Sequence, residues 1–189
     1  FTRNGREALM ILLLISVYKL SDITMGVMAN PFYLDLGFSK TDIADITKVF
    51  GFLMTIAGAA LGGVLVARFG ITRPLLLGAV LVAVTNLLFA ALAVLEPQLM
   101  LLAVVISADN LSGGIAAAVF IAYLSSLTNS AYTATQYALF SSLMTLPAKV
   151  LGGFSGLVVD AWGYMAFFLY AGLLGIPAIA LSVRLLRKT

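Results

Sequence analysis

The sequence predicts an all-α membrane protein with six transmembrane helices arranged as two inverted three-helix repeats. Three observations predict it. The chain is 62% hydrophobic and only 10% charged, with a mean hydropathy of +1.10, whereas a soluble domain carries roughly 25% charged residues. Six apolar segments each approach the ~20 helical residues needed to cross a hydrocarbon core. An octapeptide pattern recurs at a spacing that pairs the second segment with the fifth.

The six predicted spans cover residues 8–32, 47–67, 75–95, 99–127, 137–159 and 164–183. The first contains an Asn30-Pro31 step, which removes a backbone donor near its outer end and predicts a kink there. The third and sixth carry no charged residue. Arg3, Arg6, Arg68, Arg73, Arg184, Arg187 and Lys188 fall at the N-terminus, the second-to-third loop and the C-terminus. With six spans these three places share one side. Asp35, Asp42, Asp45, Glu96 and Asp160 fall on the other, with Lys40 as the one base among those loops. The lysine/arginine bias puts both termini in the cytoplasm. Lys48, one turn after Asp45, is expected to pair with it or to reach the surface.

The repeat is carried by Gly63-Val-Leu-Val-Ala-Arg-Phe-Gly70 and Gly156-Leu-Val-Val-Asp-Ala-Trp-Gly163, which start 93 residues apart. Small residues, Ala59 and Gly152, precede each by four positions. The pattern divides the single 1–189 half-domain into repeats of about 7–96 and 97–189. An odd number of spans per repeat inverts the second copy, a plan found in secondary transporters. Gly58–Gly62 and Gly152–Gly156 also fit the small-xxx-small pattern of close helix packing.

Lys19, Asp22, Asp109 and Lys149 fall near the middle of their spans, and their charges sum to zero. Each costs roughly 2.5–3.5 kcal/mol at a helix centre, where a leucine returns only about 0.5. One reading is a structural ion-pair cluster; the other is a polar pathway for solute or protons. Purely apolar packing is often as stable as a buried ion pair, which favours the pathway. Asn110 beside Asp109, with Ser112, Gly113 and Gly114 on the next turn, and Gln136 at the start of the fifth span supply polar neighbours.

The chain has no cysteine and no histidine, which removes disulfides, thiol nucleophiles and the serine–histidine and zinc–histidine designs. No phosphate-binding loop, metal-ligand spacing or nucleophile elbow occurs, so neither a metal nor another cofactor is expected. The basic pI of about 9.3 follows from the clustered loop bases and does not indicate nucleic acid. An aspartyl dyad of Asp22 and Asp109 is the one enzymatic design left open. A non-transporting scaffold or receptor is a further alternative, though it needs no midplane charge. Phe1 rather than a methionine begins the chain, and the first apolar run is too long for a cleaved signal. A segment of a longer membrane chain is expected.

The loop Gly63-x-x-x-Ala67-Arg68-x-Gly70-x-x-Arg73 resembles a degenerate form of the signature loop of the major facilitator superfamily, with Ala67 where that loop normally has aspartate. Its charge-relay gating role is weakened by that change. YKLSD at 18–22, DNLSGG at 109–114, YTATQYALFSSL at 132–143 and VDAWGYMAFFLY at 159–170 together resemble the bacterial muropeptide permeases, a family that also includes acetyl-coenzyme A transporters. The likeness covers nearly the whole chain and corresponds to the C-terminal six-helix half. Asp109 stands where that family often has glutamate. The resemblance implies proton-driven import of anhydro-muropeptides through a bacterial inner membrane for peptidoglycan recycling, and a part in signalling β-lactamase induction. It implies as partners an N-terminal six-helix half, a small solute, protons and the bilayer, with another solute such as a sugar, a peptide or an acyl-coenzyme A left open.

Overall fold

The computed structural model describes residues 5–128 and 133–187, with Arg6 and Thr133 described by backbone alone. Arg3, Lys188 and Tyr132 lie outside the described residues. The helices are α1 (Gly5–Tyr18), α2 (Leu20–Asp35), α3 (Lys40–Ile46), α4 (Phe52–Phe69), α5 (Thr72–Leu92), α6 (Leu99–Leu127), α7 (Thr133–Gly152), α8 (Ser155–Leu173) and α9 (Ile176–Leu186). A π-helical turn, Thr47–Gly51, joins α3 to α4.

Five stretches among the described residues are long and apolar enough to cross a membrane: Glu7–Asp35, Lys40–Phe69, Thr72–Leu92, Leu99–Leu127 and Ser155–Leu186. The helix α7 has the length but falls short in hydropathy, because Ser141, Ser142, Thr145 and Lys149 interrupt its apolar residues. The expected boundary between the last two spans also shifts. A turn at Gly153-Phe154 ends α7 before residue 159, and Asp160 sits inside α8 rather than in a loop. Lys40, Asp42 and Asp45 are likewise helical. Ser39 starts α3 with a reciprocal capping box, its hydroxyl accepting from Asp42 N–H at 3.1 Å while the Asp42 carboxylate accepts from Ser39 N–H at 3.3 Å. Such a cap satisfies two orphan donors at once, and it explains why the second span begins seven residues earlier than its apolar run.

Two hydrophobic clusters form the interior. One contains Met25, Phe32, Ile43, Phe89, Leu102, Ile106 and Phe168, with Val158 and Val159 packed against it. The other contains Leu14, Ile15, Leu75, Val82, Ile115, Phe120, Phe140 and Ala178, with Leu65 and Val66 against it. The first cluster lies toward the end carrying Asp35 and Ser39. The second lies toward the end carrying Arg68, Arg73 and Arg184.

Glycines set the closest helix contact, α4 on α6. A Cβ on Gly58 would overlap the Leu111 carbonyl, one on Gly62 would lie 2.9 Å from the Ile115 carbonyl, and one on Gly114 would lie 2.5 Å from the Thr55 carbonyl. Only a helix face without side chains brings two backbones this near. Gly152 and Gly156 face Val27 and Met28 of α2, so both expected small-xxx-small pairs sit at helix contacts.

The two glycines that close the repeated octapeptide share one backbone conformation. Gly70 ends α4 with φ 74° and ψ −176°, and Gly163 bends α8 with φ 78° and ψ 172°. Residues with a Cβ rarely adopt this region, so the pattern keeps glycine at both places for the same local reason.

Candidate functional site

The site begins where the first span breaks. Lys19 leaves helical geometry, with φ −96° and ψ 4°, in the sparsely populated bridge region where many active-site residues sit. Tyr18 fixes the end of α1 just before it. Its hydroxyl donates to the Leu75 carbonyl at 2.9 Å, and its ring stacks on Phe120 with centroids 4.4 Å apart. The Lys19 ammonium then turns onto the Asp22 carboxylate at 2.6 Å in the first turn of α2, with the two side chains 15% and 26% exposed. The discontinuity therefore falls at the partly buried charge. Pro31, where a kink is expected, sits inside continuous helix.

Asp22 faces α6. Its Oδ1 lies 4.0 Å from where a Cβ on Gly113 would be. Asp109 is one turn earlier on the same helix, about 6 Å along the axis at 1.5 Å per residue. Its carboxylate accepts from the Thr85 hydroxyl at 3.3 Å, a hydroxyl also 3.0 Å from the Val82 carbonyl. Asn110 points to the other side of α6. It donates to the Ile106 carbonyl at 2.8 Å and accepts from the Thr55 hydroxyl at 3.0 Å. Gly51, the last residue of the π turn, lies against the Asn110 amide, where a Cβ would be 3.4 Å from Nδ2. Isolated π turns inside helices are frequent at functional sites.

Lys19, Asp22 and Asp109 thus lie on one side of α6, and Asn110, though adjacent in sequence, turns to α4 on the other. Lys149 is exposed on α7 and lines a groove of about 630 Å³ with Ser141, Ser142, Thr145 and Leu146. It forms no ion pair with Asp22 or Asp109. The expected zero sum of four charges gives way to one cation beside two carboxylates. Gln136 stands in the first turn of α7, beside Tyr137, which packs against the second cluster. Gly63 faces open space on α4, and Arg68 and Arg73 are exposed on either side of Gly70. The Arg68 guanidinium lies 6.0 Å from the Phe69 ring centroid. Lys48 makes no ion pair with Asp45 and lines a shallow groove with Lys40 and Thr47 instead.

Asp22 and Asp109 do not hydrogen-bond each other; one takes a lysine and the other a threonine. An aspartyl dyad requires a proton shared between its two carboxylates, and this arrangement does not provide one.

Sequence reading missed the uncharged polar residues that support the charged ones. Thr85 and Asn86 occur as a polar pair in a span notable only for having no charge, and Thr55 occurs beside a glycine-rich run. Adjacent Thr-Asn in an otherwise apolar segment is the signal that was available, since buried polar groups need partners.

A helical membrane bundle with a broken first helix and a charged, hydroxyl-lined centre is the class these features define. Comparison with known proteins carries the assignment further. The chain is 33% identical over 96% of its length to AmpG 4 of Rickettsia conorii, a transporter by name. It is 32% identical over 96% of its length to the anhydromuropeptide permease of Escherichia coli K12. An uncharacterized protein of Haemophilus influenzae is 37% identical over 95% of the chain. These matches cover 44%, 37% and 44% of the relatives' own lengths, so the chain spans less than half of the curated relatives it matches. No protein-family model matches it. The chain is a homologue of the AmpG-like transporters.

Proposed function

We propose that the chain is the C-terminal six-helix half of a proton-coupled secondary transporter of the major facilitator superfamily, importing anhydro-muropeptides across a bacterial inner membrane for peptidoglycan recycling. The observation that carries this reading is the homology over nearly the whole chain to the anhydromuropeptide permease. The order in which the chain visits its two clusters supports six crossings. Residues 14–15, 32, 43, 65–66, 75–82, 89, 102–106, 115–124, 140, 158–159, 168 and 178 alternate between them, so α7 with the start of α8 makes one crossing and the chain from Tyr164 to the end of α9 makes another. The matched conformations of Gly70 and Gly163 support the inverted repeat, because they end the second crossing and the fifth.

Both ends of the segment are then cytoplasmic, on the side of Arg68, Arg73 and Arg184. This segment has no cysteine, so single replacements report sidedness once any cysteines outside it are removed. Lys40→Cys and Glu96→Cys are expected to react with an impermeant maleimide from outside the cell, and Arg73→Cys only after the membrane is opened. Labelling in the reverse pattern would overturn the topology.

The charged centre supplies the coupling. One lysine and two carboxylates leave one negative charge in excess, and a single proton brings the group to neutrality. Neutral groups move through a low-dielectric passage at far lower cost than charged ones, so protonation and conformational exchange are linked. A face carrying Lys19, Asp22 and Asp109 is unfavourable against lipid, which calls for a second six-helix half across the cavity. Uptake by proteoliposomes containing the full native chain tests the solute. Labelled anhydro-muropeptide is expected to accumulate, and excess unlabelled sugar, free peptide or acyl-coenzyme A to leave that accumulation unchanged. Accumulation of one of those competitors instead would reassign the carrier.

A further inference from the structure

The interruption between α8 and α9 is tied to the one at Lys19 by a buried hydrogen-bonded chain. In an unbroken helix the Gly175 N–H would bond the carbonyl four residues back, Ala171. Here it turns to the Gly172 carbonyl at 3.0 Å, while Leu174 N–H bonds the Tyr170 carbonyl. The Ala171 carbonyl is left without its helical donor, and the Ser21 hydroxyl of α2 donates to it at 2.7 Å. Having given its one proton to that carbonyl, the Ser21 oxygen can only accept, and Asn86 Nδ2 of α5 donates to it at 2.7 Å. Ser21 and Asn86 are 2% and 0% exposed. The contact is close on all sides, with a Cβ on Gly175 3.2 Å from Ala83 Cβ and 3.6 Å from Ser21 Oγ.

Ser21 stands two residues after the Lys19 break and one before Asp22. We propose that Ser21 and Asn86 are positioning residues that lock the α8–α9 break to the Lys19 break, so that opening the Lys19–Asp22 ion pair loosens the last span. A buried acceptor left unmade is costly, so the Ala171 carbonyl holds Ser21 in place, and Asn86 fixes which way the hydroxyl points. When Lys19 and Asp22 separate, the first turn of α2 loses its anchor and Ser21 moves with it. The break near Gly175 then loses its cap. The coupling is a property of these three spans and holds whatever solute the protein carries.

Hydrogen exchange of the full native chain in lipid nanodiscs reads this directly, at the amides of Leu174, Gly175 and Ile179 that bracket the break. Lys19→Gln is expected to raise their exchange about tenfold, the size of effect one lost hydrogen bond gives. Ser21→Ala is expected to raise it similarly, and Lys19→Gln added to Ser21→Ala to raise it less than about twofold further. A merely structural role for Ser21 predicts instead that the two changes add. No response to Lys19→Gln, or the same response with and without the Ser21 hydroxyl, overturns the proposal. Should Ser21→Ala fail to fold, Asn86→Leu replaces it in the same cycle. It removes the donor to Ser21 and leaves the hydroxyl, and the same non-additivity is expected.

Discussion

Asp109→Asn is expected to abolish pH-gradient-driven accumulation of solute while leaving solute exchange across the membrane intact. Asparagine keeps the shape and can still accept from Thr85, but it cannot ionise. Asp22 is matched by Lys19 at 2.6 Å, so its charge is already balanced. Asp109 has only the Thr85 hydroxyl at 3.3 Å, which makes it the carboxylate whose charge is unbalanced. Removing that charge permanently gives the neutral state that a bound proton gives, and transport then no longer follows the proton gradient. Asp22→Asn is expected to behave differently. It takes from Lys19, whose side chain is 15% exposed, its hydrogen-bonded partner, so loss of folded protein is expected to accompany loss of transport. The check is uptake into vesicles with an imposed pH gradient, set beside counterflow at equal pH. Full accumulation by Asp109→Asn would place the proton site elsewhere in the full chain.

The largest effect on stability is expected at Gly58. A Cβ there meets the Leu111 carbonyl of α6, and a backbone carbonyl inside a helix cannot rotate aside as a side chain can. Gly58→Leu forces α4 and α6 apart along the contact that Gly62 and Gly114 also need. Overpacking of this kind costs typically 1–3 kcal/mol, and a loss at the top of that range, about 3 kcal/mol, is expected for the leucine. Gly58→Ala is expected to lose about 2 kcal/mol. Gly63 provides the control. It lies five positions on in the same helix with nothing within 4 Å of a Cβ, so Gly63→Ala is expected to be neutral or to gain a few tenths of a kcal/mol through helix propensity. Equilibrium unfolding in mixed micelles separates the three. Equal stability of Gly58→Leu and Gly63→Ala would refute the glycine-mediated contact.

Much of the fold is legible in the sequence because hydropathy and charge placement answer directly to the bilayer. The 99–127 span is found at its predicted bounds, since Gln98 and the apolar run after it mark its start and Thr128 its end. The breaks were less legible. Pro31 is the residue a sequence reader expects to interrupt a helix, yet α2 continues through it, and the interruption falls at Lys19, where a charge finds its partner three residues ahead. That choice depends on Tyr18 being held by Leu75 and Phe120, contacts 57 and 102 residues away that no local pattern reveals. The same holds for the site. Midmembrane depth singled out Lys19 and Asp22, which the structure pairs at 2.6 Å, and Asp109, which it sets against Thr85. Depth alone could not separate Lys149, which sits at a similar height but faces outward from α7. Rotation about a helix axis is set by packing partners, and those partners became visible only in three dimensions.

The central claim is that Lys19, Asp22 and Asp109 line an aqueous passage used by the solute rather than a sealed ion-pair cluster. Gly113 is the position from which to measure it, because Asp22 Oδ1 at 4.0 Å is the nearest atom a new Cβ would meet. A Gly113→Cys variant of the full native chain, with any cysteines outside this segment removed, is exposed to an impermeant maleimide from each side of the membrane. Alternating access predicts labelling from both sides, and anhydro-muropeptide is expected to protect the cysteine from reaction. Absence of labelling from either side, or labelling that the muropeptide does not slow, would contradict a transport passage at this centre.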